Sequence, residues 1–221
     1  MIELALKLIE RKIQDSSYTD DDFVDLINVC IGEIASTEAL PFLVKHADIT
    51  VDEGSFTVAL PGDYHSNLLR VQNLETKREI RVRTLSEALE IYPDLNETGE
   101  VVLAAPQGGS TLLVRRTPTA DTQLRVWYHQ QPEIIEDKED EVHCIPKHLQ
   151  LPLFVNYVCA QIYSEIEDGV EGRNINTQFY TSKYFQARAD LREHLGVPDA
   201  PFKTVLYSLD SGRFRDITDE I

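Results

Sequence analysis

No stretch of this chain approaches the roughly 20 consecutive apolar residues that a membrane-spanning helix requires. Cysteine is scarce: Cys30, Cys144 and Cys159 cannot all pair with one another, and Cys144 beside His143 and His148 has no recognised metal-ligand spacing. The phosphate-cradling GxxxxGK[ST] loop, a GxGxxG turn after a strand, HExxH and GxSxG are all missing. These absences remove the common nucleotide-binding, zinc-protease and serine-hydrolase signatures, and no catalytic, cofactor-binding or metal-ligating residue is assigned. Basic residues are few, 21 Lys and Arg against 38 Asp and Glu, for a net charge of −17. A surplus of that sign repels the phosphate backbone, and sequence-independent nucleic-acid binding depends on neutralising phosphates, so tight DNA binding is not expected. The opening Met1-Ile2-Glu3-Leu4 lacks the basic start and apolar centre of a secretory signal, and the expectation is a protein made in the cytoplasm with reduced thiols.

What is present is an ordered set of periodicities. Ile2, Ala5, Leu6, Ile9 and Ile13 fall on one helical stripe, with Glu3, Lys7, Glu10, Arg11 and Lys12 on the other side. Thr19 with Asp22 makes an N-cap signature ahead of Phe23, Ile27, Cys30 and Ile34, and this second helix is expected to run to about Leu40, stopped by Pro41. A second helical pair lies far downstream. Val155, Val158, Ile162 and Ile166, broadened by Phe154 and Tyr157, form a stripe ending at Asp168-Gly169. Of Pro146 and Pro152, one is expected in its first turn and the other in a preceding turn. Asn174 or Asn176 is the expected cap of a fourth helix carrying Tyr180, Tyr184, Ala187, Leu191 and Leu195 and finishing at Gly196-Val197-Pro198. The short connection makes these two helices antiparallel neighbours, and their aromatics read as core packing.

Between the pairs, residues 50–58, 68–72, 79–83, 101–105, 111–115 and 123–129 carry the β-branched and aromatic content of strands. Glu53-Gly54 and Gly108-Gly109 are hairpin-turn candidates, and Leu85, Ala88, Leu89 and Tyr92 keep the spacing of one short helix. The expected class is α+β: a small helix bundle formed by the N- and C-terminal helix pairs, with an inserted antiparallel β-sandwich or barrel-like domain and an extended C-terminal tail. The boundaries read as 1–41 for the first pair, 42–132 for the β-rich insertion, 133–145 for an acidic linker, 146–196 for the second pair and 197–221 for the tail.

Charge is unevenly spread. Arg70, Lys77, Arg78, Arg81 and Arg83 against Glu75 and Glu79 leave a local balance of +3, whereas residues 133–141 hold six acids and one lysine, a balance of −5. Strand alternation puts Glu79, Arg81 and Arg83 on one face and Ile80 and Val82 on the other. The acidic run reads as a solvated loop. The tail mixes Phe202, Val205, Leu206, Tyr207 and Phe214 with Arg213 and Arg215, a composition that orders against another chain.

Several stretches, in this order, carry a resemblance. They are Tyr18-Thr19-Asp20-Asp21-Asp22-Phe23 leading into Leu26-Ile27-Asn28 and Ile31-Gly32-Glu33-Ile34-Ala35; Phe56-Thr57-Val58-Ala59-Leu60-Pro61-Gly62-Asp63-Tyr64; residues 145–163 from Ile145-Pro146; and residues 184–196. Together they resemble the head-to-tail adaptor (connector) proteins of tailed bacteriophages, especially the short-tailed ones. The resemblance implies a non-enzymatic virion protein without cofactor, made in the host cytoplasm. It would form a ring of about twelve copies beneath the portal, through which DNA passes without specific binding. It also implies a C-terminal segment reaching onto the portal protein and a distal surface that receives the tail nozzle or tube. On this view Arg78, Arg81 and Arg83 serve subunit contacts, and Phe202, Val205, Leu206, Tyr207, Arg213, Phe214 and Arg215 serve the portal. The competing reading of so acidic a chain is a DNA-mimicking inhibitor of a nucleic-acid enzyme.

Overall fold

The computed structural model describes residues 1–13, 15, 17–94, 97–167 and 174–196. In chain order these form α1 (Ile2–Ile13), α2 (Asp20–Thr37), β1 (Val44–Val51), β2 (Thr57–Ala59), β3 (Tyr64–Asn73), β4 (Glu79–Val82), α3 (Leu85–Ile91), β5 (Leu103–Gln107), β6 (Thr111–Arg115), β7 (Thr122–Gln130), α4 (Lys147–Glu167) and α5 (Ile175–His194). The α+β class holds: helices from the two ends of the chain share one core, and the strands between them make a nearly closed, barrel-like sheet.

The bundle is organised around α4. Leu149, Leu153, Phe154, Val155, Tyr157, Val158, Cys159, Ala160 and Ile162 are buried and occupy most of its circumference. A helix apolar nearly all round must be covered on several sides, and α1, α2 and α5 supply that cover. The stripe of α1 turns inward as its spacing requires, with Ile2, Ala5, Leu6, Ile9 and Ile13 buried. In α2, Phe23, Ile27, Cys30 and Ile34 do the same beneath a complete Thr19/Asp22 capping box. Burying each Ile or Leu contributes roughly 1.5–3 kcal/mol. Between α4 and α5 the aromatic rings interleave, Tyr157 with Tyr184 at 5.1 Å and Tyr163 stacked on Tyr180 at 5.5 Å, the register of antiparallel neighbours.

Several local expectations are corrected. Helix α2 stops at Thr37 rather than Leu40: Glu38 is already extended, its N–H closes on the Ile34 carbonyl, and Pro41 opens a separate 3-10 turn, Pro41–Leu43. Pro152 is the sixth residue of α4, not a first-turn residue. It has no N–H to donate to the turn before it, and the Asn156 side chain bonds to its carbonyl at 2.6 Å. Ile166 is exposed. Asn174 stands at the N-cap position of α5, as one of the two expected candidates, but makes no side-chain cap hydrogen bond. The Glu167 carboxylate accepts from the amides of Asn176 and Thr177 at 3.2 and 3.1 Å, so an acid from the preceding helix satisfies those donors and complements the helix dipole. At the other end, Gly196 takes a left-handed φ of +67°, as a glycine just past a helix should. The expected turn at Asp168-Gly169 lies outside the described residues.

The sheet runs β1-β7-β3-β4-β5-β6-β2. All pairs are antiparallel except β4 with β5, which are parallel because α3 lies in the connection between them, a crossover that no hairpin can make. Residues 50–58 are not one strand. The chain turns at residues 52–55, leaving β1 on β7 and sending β2 to the opposite edge on β6, so Glu53-Gly54 joins the two edges of the sheet instead of making a hairpin. Gly108-Gly109 does make one, between β5 and β6, with Gly108 at φ +66°. Helix α3 carries its own capping box, Thr84 with Glu87.

One buried ionic cluster pins the far ends of the bundle together. Glu38, only 6% exposed, accepts from Arg188 at 2.7 Å and from Arg192 at 2.9 and 3.0 Å. Arg188 also donates to Glu33 and Thr37. Burial by itself would push the Glu38 carboxyl upward and is the largest single influence, but the hydrogen bonds and charges of Arg192 and Arg188 together outweigh it and hold the group below its ordinary value. Glu38→Ala should therefore cost roughly 1–3 kcal/mol, because it removes the shared carboxylate from largely buried Arg188, which keeps Glu33, and from half-exposed Arg192. A depressed folded-state pKa stabilises above the unfolded value, so the cluster's contribution should be intact at neutral pH and decline below about pH 4.5. Urea titrations across that range check both points: a pH slope unchanged by the substitution would show that Glu38 carries none of it.

Candidate assembly surfaces

Among the described residues no group of three or more His, Cys, Asp or Glu side chains could hold a metal ion. The three thiols are buried; burial pushes Cys144 and Cys159 up to about 11 and Cys30 higher still, which leaves them unreactive at neutral pH. His148 packs edge-on against His194 at 5.1 Å instead of converging with His143 and Cys144. No described helix is long and apolar enough to cross a membrane. What the molecule displays is surface.

The basic surface lies along β4. Alternation holds as expected: Ile80 is buried at 2% exposure, while Glu79, Arg81 and Arg83 are exposed. Arg78, Arg81 and Arg83 line one shallow groove of about 360 Å³, with Ile91 and Tyr92 from the end of α3 and Glu100 opposite. Arg78 is drawn to Glu100 at 3.3 Å, whereas neither Arg81 nor Arg83 has a carboxylate within ion-pair distance among the described residues. Arg70 is partly occupied, lying over the Trp127 ring at 5.3 Å and 3.5 Å from Glu79.

The acidic surface is built differently from the solvated loop expected of it. Its charged side chains are exposed, but Ile135, Val142, Cys144 and Ile145 are buried in the helical core. Two amide side chains hold its backbone. Asn28 of α2 pairs with both the N–H and the carbonyl of Ile135 at 2.9 Å, and the fully buried Gln150 of α4 donates to the carbonyls of Val142 and Ile145 at 2.8 and 2.7 Å. Asp140 accepts from the amides of Glu136 and Asp137, and Glu141 pairs with Lys147. Glu133, Glu136, Asp137 and Glu139 remain without a cation among the described residues. The hint of this anchoring was Ile135 inside the charged run and Val142 directly after it.

Residues 3–202 match the SU10 adaptor protein family. The chain belongs to that family. Its members are phage head-to-tail adaptors, structural proteins of the virion that associate with portal and tail components. No curated protein matches the chain. The match runs through the bundle, the barrel and the linker alike, so for this adaptor the relevant sites are contact surfaces. Phe202, Val205, Leu206, Tyr207, Arg213, Phe214 and Arg215, expected to serve the portal, lie outside the described residues.

A further buried charge escaped the sequence reading. Arg115, at the end of β6, is 2% exposed, and its three guanidinium nitrogens meet no hydrogen-bond partner among the described residues. It sits directly across from Leu103 of β5. An unpaired buried cation lowers stability, so Arg115→Met should raise the unfolding free energy by at least about 1 kcal/mol, read from the thermal or urea midpoint. A loss of similar size would instead mean that the guanidinium is balanced in solution.

Proposed function

We propose that this adaptor assembles as a ring of about twelve copies beneath the portal, joining the capsid vertex to the tail nozzle or tube and leaving an axial channel for DNA. The observation that carries the reading is the family match over residues 3–202. The charge supports the channel: at −17 per copy, a ring presents DNA with a repulsive wall, which prevents phosphate from sticking during passage. So much like charge also requires specific attraction between neighbours, since the Debye length is about 8 Å at physiological salt. We assign that attraction in part to Arg78, Arg81 and Arg83, and portal docking to the segment carrying Phe202, Val205, Leu206, Tyr207, Arg213, Phe214 and Arg215. In this reading residues 42–132 work as one unit carried on the bundle of residues 1–41 and 146–196.

Electron microscopy of the full chain mixed with assemblies of the portal protein from the same phage should show an added ring at the portal's outer end; bare portals at saturating adaptor would refute the reading. Reversing both Arg81→Glu and Arg83→Glu should leave the fold intact by circular dichroism and reduce ring occupancy at least about tenfold, the effect of opposing like charges at a contact. Removing residues 197–221 should abolish portal capture in a pull-down while unfolding stays cooperative.

A further inference from the structure

We propose that the acidic segment at residues 133–139 of one copy docks into the basic groove along β4 of the next. The proposal rests on the ring reading and names the contact that closes it. The two surfaces are complementary in charge. On one side stand Glu133, Glu136, Asp137 and Glu139, none with a cation among the described residues, and in the same segment Ile134, which at 76% is the most exposed of the large apolar side chains among the described residues. On the other, Arg81 and Arg83 flank a groove whose wall is Ile91, 55% exposed, and Tyr92. Ile134 would meet Ile91 and Tyr92 in a groove that Glu79 and Glu100 also line, while the guanidinium groups of Arg81 and Arg83 pair with the linker carboxylates in bidentate fashion.

The fold keeps these surfaces apart within one molecule. Tyr64, at the start of β3, pairs with Gln130, where the chain leaves the sheet for the acidic segment; Gln72, near the other end of β3, pairs with Glu79 of β4. Between these places β3 shifts register three times, and β7 covers the same span with five residues, Gln130 to Arg125, roughly 17 Å at about 3.3 Å each. No ion pair joins the linker acids to Arg81 or Arg83 among the described residues, and the partner proposed is another copy. The acidic segment is also preorganised. With Ile135 locked to Asn28 and Val142 and Ile145 locked to Gln150, little backbone ordering is left to oppose docking. A contact between two different patches is heterologous and propagates head to tail, and it closes into a ring when the rotation allows. Cyclic symmetry then sets both patches at one height and one radius, so each barrel lies beside the bundle of its neighbour.

Disulfide trapping tests this with the full chain, since the native thiols are buried and do not compete. Ile91→Cys and Ile134→Cys are made separately, one carrying a mass tag, then mixed and mildly oxidised, and the products are resolved on non-reducing gels. The expected result is a 91–134 heterodimer exceeding each homodimer at least about fivefold at low salt, with the excess lost at about 0.5 M NaCl, where screening is strong. Adding Arg81→Glu and Arg83→Glu to the Ile91→Cys variant should abolish the preference. A heterodimer at no more than its statistical share, while unmodified chain forms rings on portals, overturns this contact and leaves the ring standing. A preferred heterodimer without rings upholds the contact and overturns the ring.

Discussion

A helix that is apolar over most of its circumference cannot be left at a surface, and α4 sets the terms on which the rest of the chain folds. Its cover comes partly from α5, a few residues away, but α1 and α2 stand at the other end of the sequence. Closing so long a loop has an entropic cost of roughly (3/2)RT ln n, and two kinds of interaction offset it. One is the apolar core shared by Ile9, Ile27, Ile34, Leu153, Val158 and Leu191. The other is polar and specific: Glu38 and Arg192 meet across 154 positions of chain, and Arg188 links the same carboxylate to Glu33. Apolar burial brings the helices together, and the buried ions select one register among the packings that burial alone would allow.

The same residue types do opposite work inside and outside this molecule. Inside, each carboxylate that matters has a defined donor: Asp22 and Glu87 in capping boxes, Glu167 at the start of α5, and Asp63 between Lys45 and the Tyr128 hydroxyl, both at 2.6 Å. Outside, Glu133, Glu136, Asp137 and Glu139 of the linker and Arg81 and Arg83 along β4 stand without an ion-pair partner among the described residues. Such polarity is of little use to a solitary chain. It suits the proposed ring, in which the next copy supplies the complement.

Local pattern reported the helices well because each rests on its own periodicity: the stripes of α1 and α2, the Thr19/Asp22 cap and the Tyr180, Tyr184, Leu191 face all stand as read. Errors arose where a distant partner decides. The bounds of β1 were misjudged because Lys45, His46 and Asp48 are too polar to signal a strand and are held by pairing with β7. The capping side chain of α5 was assigned to nearby asparagines because nothing in sequence shows that Glu167 will be closer. Pro152 misled because its missing donor is tolerated inside a helix that tertiary packing holds on all sides. For the assembly surfaces, the charges were legible residue by residue, but the anchoring of the linker through Asn28 and Gln150 and the isolation of Arg115 are tertiary facts. A polar side chain announces neither its partner nor the lack of one.

Strand β1 leads into the barrel and β7 leads out, and the two lie paired over their whole length, Val44 beside His129 through to Val51 beside Thr122. From the side of the helices, the entire inserted sheet is therefore equivalent to a single tight hairpin: two backbone threads departing and returning a few ångströms apart. A scaffold that meets its cargo through so narrow a neck can exchange one cargo for another of different size or shape without repacking its own interior. Recombination at this neck would exchange the barrel while leaving the helical core as it was.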